Sequence, residues 1–192
     1  MIKAIIFDFF GVVGQSTYQL VAEDYTYSNE QNSKLSDLHK AFDNGFISDK
    51  EFLETYAQIL DIKYDEFISK YYQSEQRFSN SYKVLALVEE LKKSYKVGLL
   101  SNVGIDAYTK FIEPIAYHFD EVVTSYDSRL AKPERAIFEL MASRLGVDVS
   151  ECIMIDDSQT NCEGAQAAGM NAIIFENLES LKPQLESYLT IT

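Results

Sequence analysis

Four short segments of this chain hold the residue types that could do chemistry, and each of them lies at the end of, or directly after, an apolar run. A carboxylate can attack phosphorus, and neighbouring carboxylates can bind a divalent cation. A hydroxyl, an amine and backbone amides can hold the oxygens of a phosphate group. We therefore expect these segments to form one site for phosphate chemistry. The residues are Asp8 in IIFDFFGVV, Ser101 and Asn102 in VGLLSN, Lys132 in LAKPERAIFEL, and Asp156 and Asp157 in CIMIDDSQTN.

Taken singly, three of these features have ordinary structural explanations. Asp8 could cap a turn, and Lys132 could be a solvated lysine on the surface. Ser101 could be the N-cap of a helix. The adjacent acids Asp156 and Asp157 are more specific, because two neighbouring carboxylates repel each other unless a cation lies between them and a third acid. The alternative for this pair is an acidic turn in which Asp157 caps the following helix.

Five short apolar runs predict buried parallel strands, because each is rich in Ile, Val or Phe and is followed by polar residues or glycine. Segments with helical spacing separate the later runs, among them Tyr82–Ser94, Glu134–Leu145 and Asn161–Ala168. This alternation predicts an α/β, Rossmann-like fold: a parallel five-stranded sheet with helices on both faces. The predicted strands are Lys3–Phe9, Lys96–Leu100, Glu121–Thr124, Cys152–Ile155 and Ala172–Phe175.

The segment of residues 15–80 interrupts this alternation. It contains no strand-like run and predicts several helices, one following the capping box Ser48–Glu51 and another over Tyr64–Phe78. An insert directly after the first strand should lie above the carboxyl ends of the strands, where open α/β sheets bind ligands. We therefore predict an α/β hydrolase core of residues 1–14 and 81–192, with residues 15–80 as a helical cap.

Composition and charge restrict the partners of this chain. Its 17 basic and 30 acidic residues give a net charge of −13, which argues against binding to nucleic acid or to anionic membranes. The sequence contains no stretch of 18 apolar residues, which a membrane-spanning helix would need, so a cytoplasmic location is expected. Cys152 and Cys162 lack the spacing of a zinc site and are predicted to be buried thiols.

The four segments, in this order, resemble the motifs of the haloacid dehalogenase-like (HAD) superfamily, whose members are mostly phosphatases. The first motif, a strand followed by D-x-D-x-[T/V], is matched from Asp8 onwards, and the second, a Ser or Thr after a strand, by Ser101. Lys132 matches the lysine of the third motif, and Asp156 and Asp157 match the acidic fourth motif. The resemblance covers essentially the whole chain, and GFISDKEF is similar to the helical, C1-type cap of the small sugar-phosphate phosphatases.

The resemblance implies a phosphatase that forms an aspartyl-phosphate and uses Mg²⁺ as its cofactor. Asp8 would be the nucleophile, and Lys132 would support it as a second catalytic residue. The substrate would be a small phosphorylated metabolite, such as a sugar phosphate. The implied Mg²⁺ ligands are Asp8, Asp156, Asp157 and the backbone carbonyl of Phe10. The implied phosphate-binding groups are Ser101, the Asn102 amide and Lys132.

Phe10 departs from the family pattern, which has a second Asp at this position. In family phosphatases that Asp protonates the leaving group and later activates water, while its backbone carbonyl binds the metal. Phe10 keeps the carbonyl and lacks the acid, so slow or selective catalysis is expected. His39, Asp43 or a tyrosine of the cap could supply the proton instead; for each of them the alternative is a solvated residue of a helix.

Two other functions stay open at this point. A hydrolytic dehalogenase of the same superfamily would also have an aromatic residue two positions after its nucleophile. That branch needs no metal, does not usually keep an acidic pair such as Asp156 and Asp157, and uses an Arg early in the cap, whereas Arg77 lies at the far end of this insert. The third possibility is a phosphate-binding or interaction protein that kept the site and lost turnover.

Overall fold

The core of the protein is a five-stranded sheet. The structure is a computed structural model that describes residues 1–14, 25–43, 46–77 and 82–189. The strands are β1 (Ala4–Phe7), β2 (Lys96–Ser101), β3 (Glu121–Thr124), β4 (Cys152–Asp156) and β5 (Asn171–Ile174). They are all parallel and lie in the order β3-β2-β1-β4-β5, so that β1 is at the centre.

Helices connect the strands and also lie in the described part of the segment between β1 and β2. The longer helices among the described residues are α1 (Asn29–Asp43), α2 (Asp49–Ile59), α3 (Tyr64–Arg77), α4 (Tyr82–Leu91), α5 (Arg135–Leu145), α6 (Gln159–Ala168) and α7 (Leu178–Tyr188). Shorter helical segments are Ile105–Ala107, a π-helical turn at Tyr108–Ile112, Ser125–Ser128, and 3₁₀ turns at Glu113–His118 and Val149–Glu151.

The side chains of β1 explain why helices cover both faces of the sheet. Successive residues of a strand point to opposite faces. Ile5 and Phe7 belong to an apolar cluster that includes residues of α4 and α7. Ala4 and Ile6 belong to a second cluster, which includes residues of α5 and α6. Every residue of β1 is therefore buried, as the continuous apolar run predicts for a central parallel strand.

The predicted fold class is confirmed, and the observed strand ends lie within two residues of the predicted ones. The largest difference is in β1, which ends at Phe7 instead of Phe9. A tight turn begins there, in which the carbonyl of Phe9 accepts bonds from the N–H groups of Val13 (2.9 Å) and Gly14 (2.8 Å). Asp8 consequently lies just beyond the strand. The C-terminal helix α7 was not predicted from the sequence.

The insert helices α1, α2 and α3 pack on one another around an apolar cluster of their own. Phe52 of α2 and Phe67 of α3 are fully buried there. The predicted capping box at the start of α2 is present. The N–H of Glu51 donates to Oγ of Ser48 (3.3 Å), and the N–H of Ser48 donates to the carboxylate of Glu51 (2.9 Å).

The division into core and cap stays a prediction. Its boundaries, after residue 14 and after residue 80, lie outside the described residues. Two other expectations can be compared with the structure. Cys152 and Cys162 are buried free thiols, as predicted. Within the described ranges, no helix has both the length and the apolar composition needed to cross a bilayer.

Gly98 of β2 gives α5 room to pack on the sheet. A Cβ atom at this position would lie 2.9 Å from Sδ of Met141 and 3.2 Å from Cδ1 of Leu145. We expect Gly98→Ala to lower the free energy of unfolding by about 1–2 kcal/mol, because the flexible end of Met141 must move. Urea unfolding followed by circular dichroism measures the change. Lys96→Ala, at the exposed start of the same strand, should change it by less than about 0.5 kcal/mol. Equal effects of the two substitutions would contradict the packing argument.

Candidate active site

Two acids leave neighbouring strands side by side at the carboxyl edge of the sheet. Phe7 of β1 pairs with Ile155 of β4, and the N–H of Asp8 donates to the carbonyl of Ile155 at 2.8 Å. Asp8 and Asp156 are thereby placed at the same level of two adjacent strands. Asp157 follows directly. One carboxylate oxygen from each of the three acids lies within 4.8 Å of the other two.

The ammonium of Lys132 lies between two of these acids. Its Nζ is 2.7 Å from Oδ1 of Asp8 and 2.6 Å from Oδ2 of Asp156. All three residues are nearly inaccessible to solvent: Lys132 is 4% exposed, Asp8 6% and Asp156 0%. Charges that are buried this deeply are tolerated only when they are paired and hydrogen-bonded. The positions predicted from three distant segments of the sequence are therefore in direct contact.

The surroundings of these groups change their pKa values. Burial by itself lowers the pKa of Lys132, but the charges of Asp156 and Asp8 outweigh it, so the pKa of this lysine is raised. Burial raises the pKa of Asp8, and the charges of Asp156 and Asp157 add to this, although the Lys132 ammonium opposes it. Three carboxylates thus share one ammonium, and a bound cation would favour the ionised form of Asp8.

Asp156 is the most constrained of the three acids. Its Oδ1 accepts bonds from the N–H of Ser158 (2.9 Å) and from Nδ2 of Asn161 (3.1 Å). Its Oδ2 accepts from Lys132 and, at 3.1 Å, from the same Nδ2. Both oxygens are therefore held by donors of this chain, and the carboxylate is fixed at the start of α6. The helix itself is capped by Ser158, not by Asp157, which was the structural alternative for the acidic pair.

Asp157 is exposed and lies over Gly11, in the turn that follows β1. Gly11 has a φ of 83°, in the left-handed region that favours glycine. A Cβ atom on it would overlap Oδ2 of Asp157. The N–H of Gly11 donates to the carbonyl of Gly14 at 2.7 Å and closes the turn. The backbone of this turn and the third carboxylate can therefore approach each other closely only because residue 11 has no side chain, which was not predicted from the sequence.

Phe10 is half-buried and lies in the same turn. Its ring meets the ring of Phe9 edge-on, with 4.8 Å between centroids, and the ring of Phe111 at 6.4 Å. Phe111 belongs to the π-helical turn that follows β2, and Phe10 packs against the apolar cluster on this face of the sheet. The side chain of residue 10 thus makes apolar contacts, which a carboxylate could not replace.

Ser101 and Asn102 lie at the same edge of the sheet. Ser101 is the last residue of β2 and is buried, and its Oγ has no hydrogen-bond partner in the described part of the chain. A buried hydroxyl without a partner is uncommon in proteins and fits a group that receives a ligand oxygen. The side chain of Asn102 is directed to the backbone of Lys132. It accepts from the N–H at 2.9 Å and donates to the carbonyl at 2.9 Å.

The alternative proton donors of the insert occupy different surroundings. The ring of His39 packs edge-on against Phe52 and Tyr56 of α2. Burial lowers the pKa of His39 and raises that of Tyr56. These two side chains take part in the packing of the insert helices. The structure does not describe the side chains of Asp43 and Arg77.

The arrangement can therefore hold a cation and an anion close together. Three carboxylates and one ammonium leave an excess of negative charge, and hard carboxylate oxygens are suitable ligands for a divalent metal ion. The acidic triad of Asp8, Asp156 and Asp157 could bind such an ion. The donor set is what a phosphate-binding metal site requires, because the ammonium of Lys132 lies beside it.

Comparison with known proteins gives a family and several relatives. A sequence model for the family described as haloacid dehalogenase-like hydrolase matches residues 2–169. N-acylneuraminate-9-phosphatase of Homo sapiens is 32% identical over 103 residues, 52% of this chain and 42% of the relative. A phosphatase of Mycobacterium tuberculosis is 26% identical over 200 residues, 91% of this chain and 88% of the relative. Glyceraldehyde 3-phosphate phosphatase of Methanothermobacter thermautotrophicus is 35% identical over 91 residues, 46% of this chain and 40% of the relative. The chain thus matches less than half the length of the first and third relatives.

Solved structures share the fold. A HAD-like family hydrolase from Porphyromonas gingivalis has a TM-score of 0.73 at 21% identity and covers 100% of both chains. A HAD family enzyme from Bacteroides thetaiotaomicron, in complex with magnesium and inorganic phosphate, has a TM-score of 0.66 at 22% identity, covering 95% of this chain and 100% of the other. L-2-haloacid dehalogenase from Xanthobacter autotrophicus has a TM-score of 0.67 at 20% identity, covering 100% and 85%. Similarity at this level of identity shows the fold and does not separate phosphatase from dehalogenase.

The buried salt bridges of Lys132 predict that replacing this lysine strongly lowers the stability of the protein. We expect Lys132→Met to lower the free energy of unfolding by about 3–5 kcal/mol in the presence of EDTA, because Asp8 and Asp156 then stay buried without a positive partner. Urea unfolding measures the change. Lys96→Met, at an exposed position, is the control and should stay within about 0.5 kcal/mol of the unmodified protein. A loss as small as that of the control would show that the buried pairs do not stabilise the fold.

Proposed function

Since this chain belongs to the haloacid dehalogenase-like hydrolases, we propose that it is a Mg²⁺-dependent phosphatase that cleaves a small phosphomonoester through an aspartyl-phosphate on Asp8. One observation carries the proposal: the carboxylate of Asp8 lies at the carboxyl edge of the sheet, 2.7 Å from the Lys132 ammonium and beside two further carboxylates. A nucleophile, a cation site and a phosphate-binding ammonium are thus adjacent.

In the proposed reaction, an oxygen of Asp8 attacks phosphorus in line with the leaving group. A bond forms between this oxygen and phosphorus, and the bond from phosphorus to the substrate oxygen breaks. Water then cleaves the aspartyl-phosphate and releases inorganic phosphate, which regenerates Asp8. The ammonium of Lys132 neutralises charge on the phosphoryl oxygens. Ser101, through its Oγ, and Asn102, through its backbone N–H, hold these oxygens beside Lys132.

The proposed metal ligands are Asp8, Asp157, Asp156 and the backbone carbonyl of Phe10. When bound, Mg²⁺ would neutralise the transferring phosphoryl group. Asp156 already accepts bonds from Lys132, Ser158 and Asn161, so its main task in this proposal is to hold the lysine while it adds negative charge to the site.

Relatives of this chain support the hypothesis that it is a phosphatase. Three of the proteins that match its sequence are named as phosphatases of small phosphorylated molecules or simply as phosphatases. A structural neighbour was crystallised with magnesium and inorganic phosphate. The substrate of this chain is therefore proposed to be a small phosphorylated metabolite, with sugar phosphates as one candidate class. The cytoplasmic location expected from the sequence stays a prediction.

Asp8→Asn tests the nucleophile. We expect this substitution to lower kcat by roughly 10³-fold or more, because an amide cannot form the acyl phosphate. The assay measures inorganic phosphate released from a panel of sugar phosphates, nucleotides and aryl phosphates, each with Mg²⁺ and with EDTA. Asp65→Asn, an exposed position in α3, is the control and should keep full activity. Activity retained by Asp8→Asn would reject the assignment.

Three measurements separate the three candidate functions. Phosphate release that requires Mg²⁺ supports the phosphatase. Release of chloride from 2-chloropropionate without metal would instead show a dehalogenase. Saturable binding of beryllofluoride with Mg²⁺, in the absence of any turnover, would show a phosphate-binding protein that does not catalyse.

Phe10 predicts a strong dependence on the leaving group. Without a proton donor at residue 10, we expect alkyl phosphates to be hydrolysed roughly 10²–10⁴-fold more slowly than aryl phosphates, whose phenolate leaves unprotonated. Phe10→Asp should reduce this ratio by raising the alkyl rate. Phe10→Asn is the matched control, because asparagine has the size of aspartate but no acidic proton. It should leave the ratio unchanged. Comparable rates on both substrate classes in the unmodified protein would show that another residue donates the proton.

A further inference from the structure

Lys132 does not come from the sheet, although the acids that it contacts do. It lies in the segment between Leu130 and Glu134, before α5, where the chain turns and the N–H of Glu134 donates to the carbonyl of Ala131 at 2.9 Å. The ammonium nevertheless lies within 2.7 Å of Asp8 and within 2.6 Å of Asp156. The backbone of Lys132 must therefore be held in place by contacts other than those of its own ammonium.

The first of these contacts is made by Asn102. Its side chain binds both backbone groups of Lys132, accepting from the N–H and donating to the carbonyl, each at 2.9 Å. Two bonds in opposite directions fix the orientation of the peptide backbone as well as its distance, as paired bonds do between strands. Asn102 directly follows β2, so this contact attaches the Lys132 segment to the end of that strand.

The second contact is made by Gly164, on the other side of the segment. Gly164 lies in the middle of α6, where glycine is less favourable than alanine. A Cβ atom on Gly164 would lie 2.6 Å from the carbonyl oxygen of Pro133 and 3.0 Å from its Cα. These are backbone atoms, which cannot rotate away as the end of a side chain can. The helix and the segment that carries Lys132 can touch only because residue 164 is glycine.

We infer that Asn102 and Gly164 are positioning residues for Lys132. Asn102 holds the backbone of the lysine from the β2 side, and Gly164 lets α6 close against Pro133 from the other side. The Asn102 side chain is bonded to the backbone of Lys132, and Gly164 has no side chain, so both residues act by setting where the ammonium lies relative to Asp8. We call the contacts of Asn102 and Gly164 with the Lys132 segment the clamp. The role of the ammonium in phosphoryl transfer rests on the proposed function, whereas the clamp rests on the contacts alone.

The first test measures the accessibility of Lys132 and needs no substrate. Metal-free protein is treated with formaldehyde and cyanoborohydride, and mass spectrometry follows reductive methylation at each lysine. In the unmodified protein Lys132 should react slowly. In Asn102→Ala and in Gly164→Ala it should react about tenfold faster, since the loss of one or two hydrogen bonds, or of a close backbone contact, opens the segment. Lys96, exposed at the start of β2, is the internal control and should not change.

Two further variants test whether the effect is specific to the contacts of Asn102 and Gly164. Gln166→Ala changes an exposed residue of the same helix and should leave the methylation rate of Lys132 unchanged. Asn102→Asp keeps the acceptor for the N–H of Lys132 but turns a carboxylate oxygen toward the Lys132 carbonyl, so it should expose Lys132 at least as much as Asn102→Ala does. Unchanged protection of Lys132 in Asn102→Ala and Gly164→Ala would overturn the inference.

The second test measures binding of inorganic phosphate with Mg²⁺ by calorimetry in a double-mutant cycle. Asn102→Ala keeps its backbone N–H and should weaken phosphate binding about tenfold when Lys132 is present. In the Lys132→Met background it should cause no further loss, because a residue that acts through the lysine has nothing left to position. Equal losses in both backgrounds would mean that the Asn102 side chain contacts phosphate itself, and this outcome would overturn the inference.

The two tests fail independently. If the unmodified protein binds no phosphate and hydrolyses none of the substrates, the proposed function is wrong, and the methylation rates still decide whether Asn102 and Gly164 hold Lys132. If the unmodified protein hydrolyses a phosphomonoester with Mg²⁺ and Lys132 stays protected in both variants, the clamp is wrong and the proposed function stands.

Discussion

The rest of this structure depends on the two salt bridges of Lys132. Its ammonium is buried between the carboxylates of Asp8 and Asp156. A buried charge without a partner costs several kcal/mol, so three residues from separate segments must meet within hydrogen-bond distance. The parallel sheet places two of them. Because β1 and β4 are neighbours in register, their acids leave the sheet side by side. Lys132 comes from outside the sheet, and the structure must hold it by other means.

Helix α6 connects these two requirements. Asn161 and Gly164 are spaced so that they lie on the same side of the helix. Asn161 donates to both oxygens of Asp156, and Gly164 lies against the backbone of Pro133. One helix thus orients the carboxylate that receives the ammonium and limits where the segment carrying that ammonium can lie. A shift of α6 would change both contacts together, which makes its first turns part of the site as much as of the core.

The net charge of the protein explains why positive charge in this cluster matters for the proposed function. With a net charge of −13, the molecule as a whole would repel a phosphate group, so the proposed function requires local positive charge. The Lys132 ammonium supplies one positive charge, and the three acids are suited to bind a divalent ion that supplies more. Phe10 adds no charge to this cluster, and its ring packs against Phe9 and Phe111. Under the proposed function, residue 10 would affect proton transfer, whereas the charges proposed to bind phosphate come from other residues.

The sequence by itself determined the α/β fold, the strands and which segments carry the acids, the hydroxyl and the lysine. It could do so because buried parallel strands are continuous apolar runs, and their carboxyl ends must meet at one edge of the sheet. Only the tertiary structure decided that both oxygens of Asp156 are occupied, that Asn102 uses its side chain on the backbone of Lys132, and that Gly11 and Gly164 permit close approaches. The physical reason is distance along the chain. Apart from the bonds from Ser158 and Asn161 to Asp156, these contacts join residues far apart in sequence, and their geometry depends on how helices and turns pack, which the local pattern of residues does not encode.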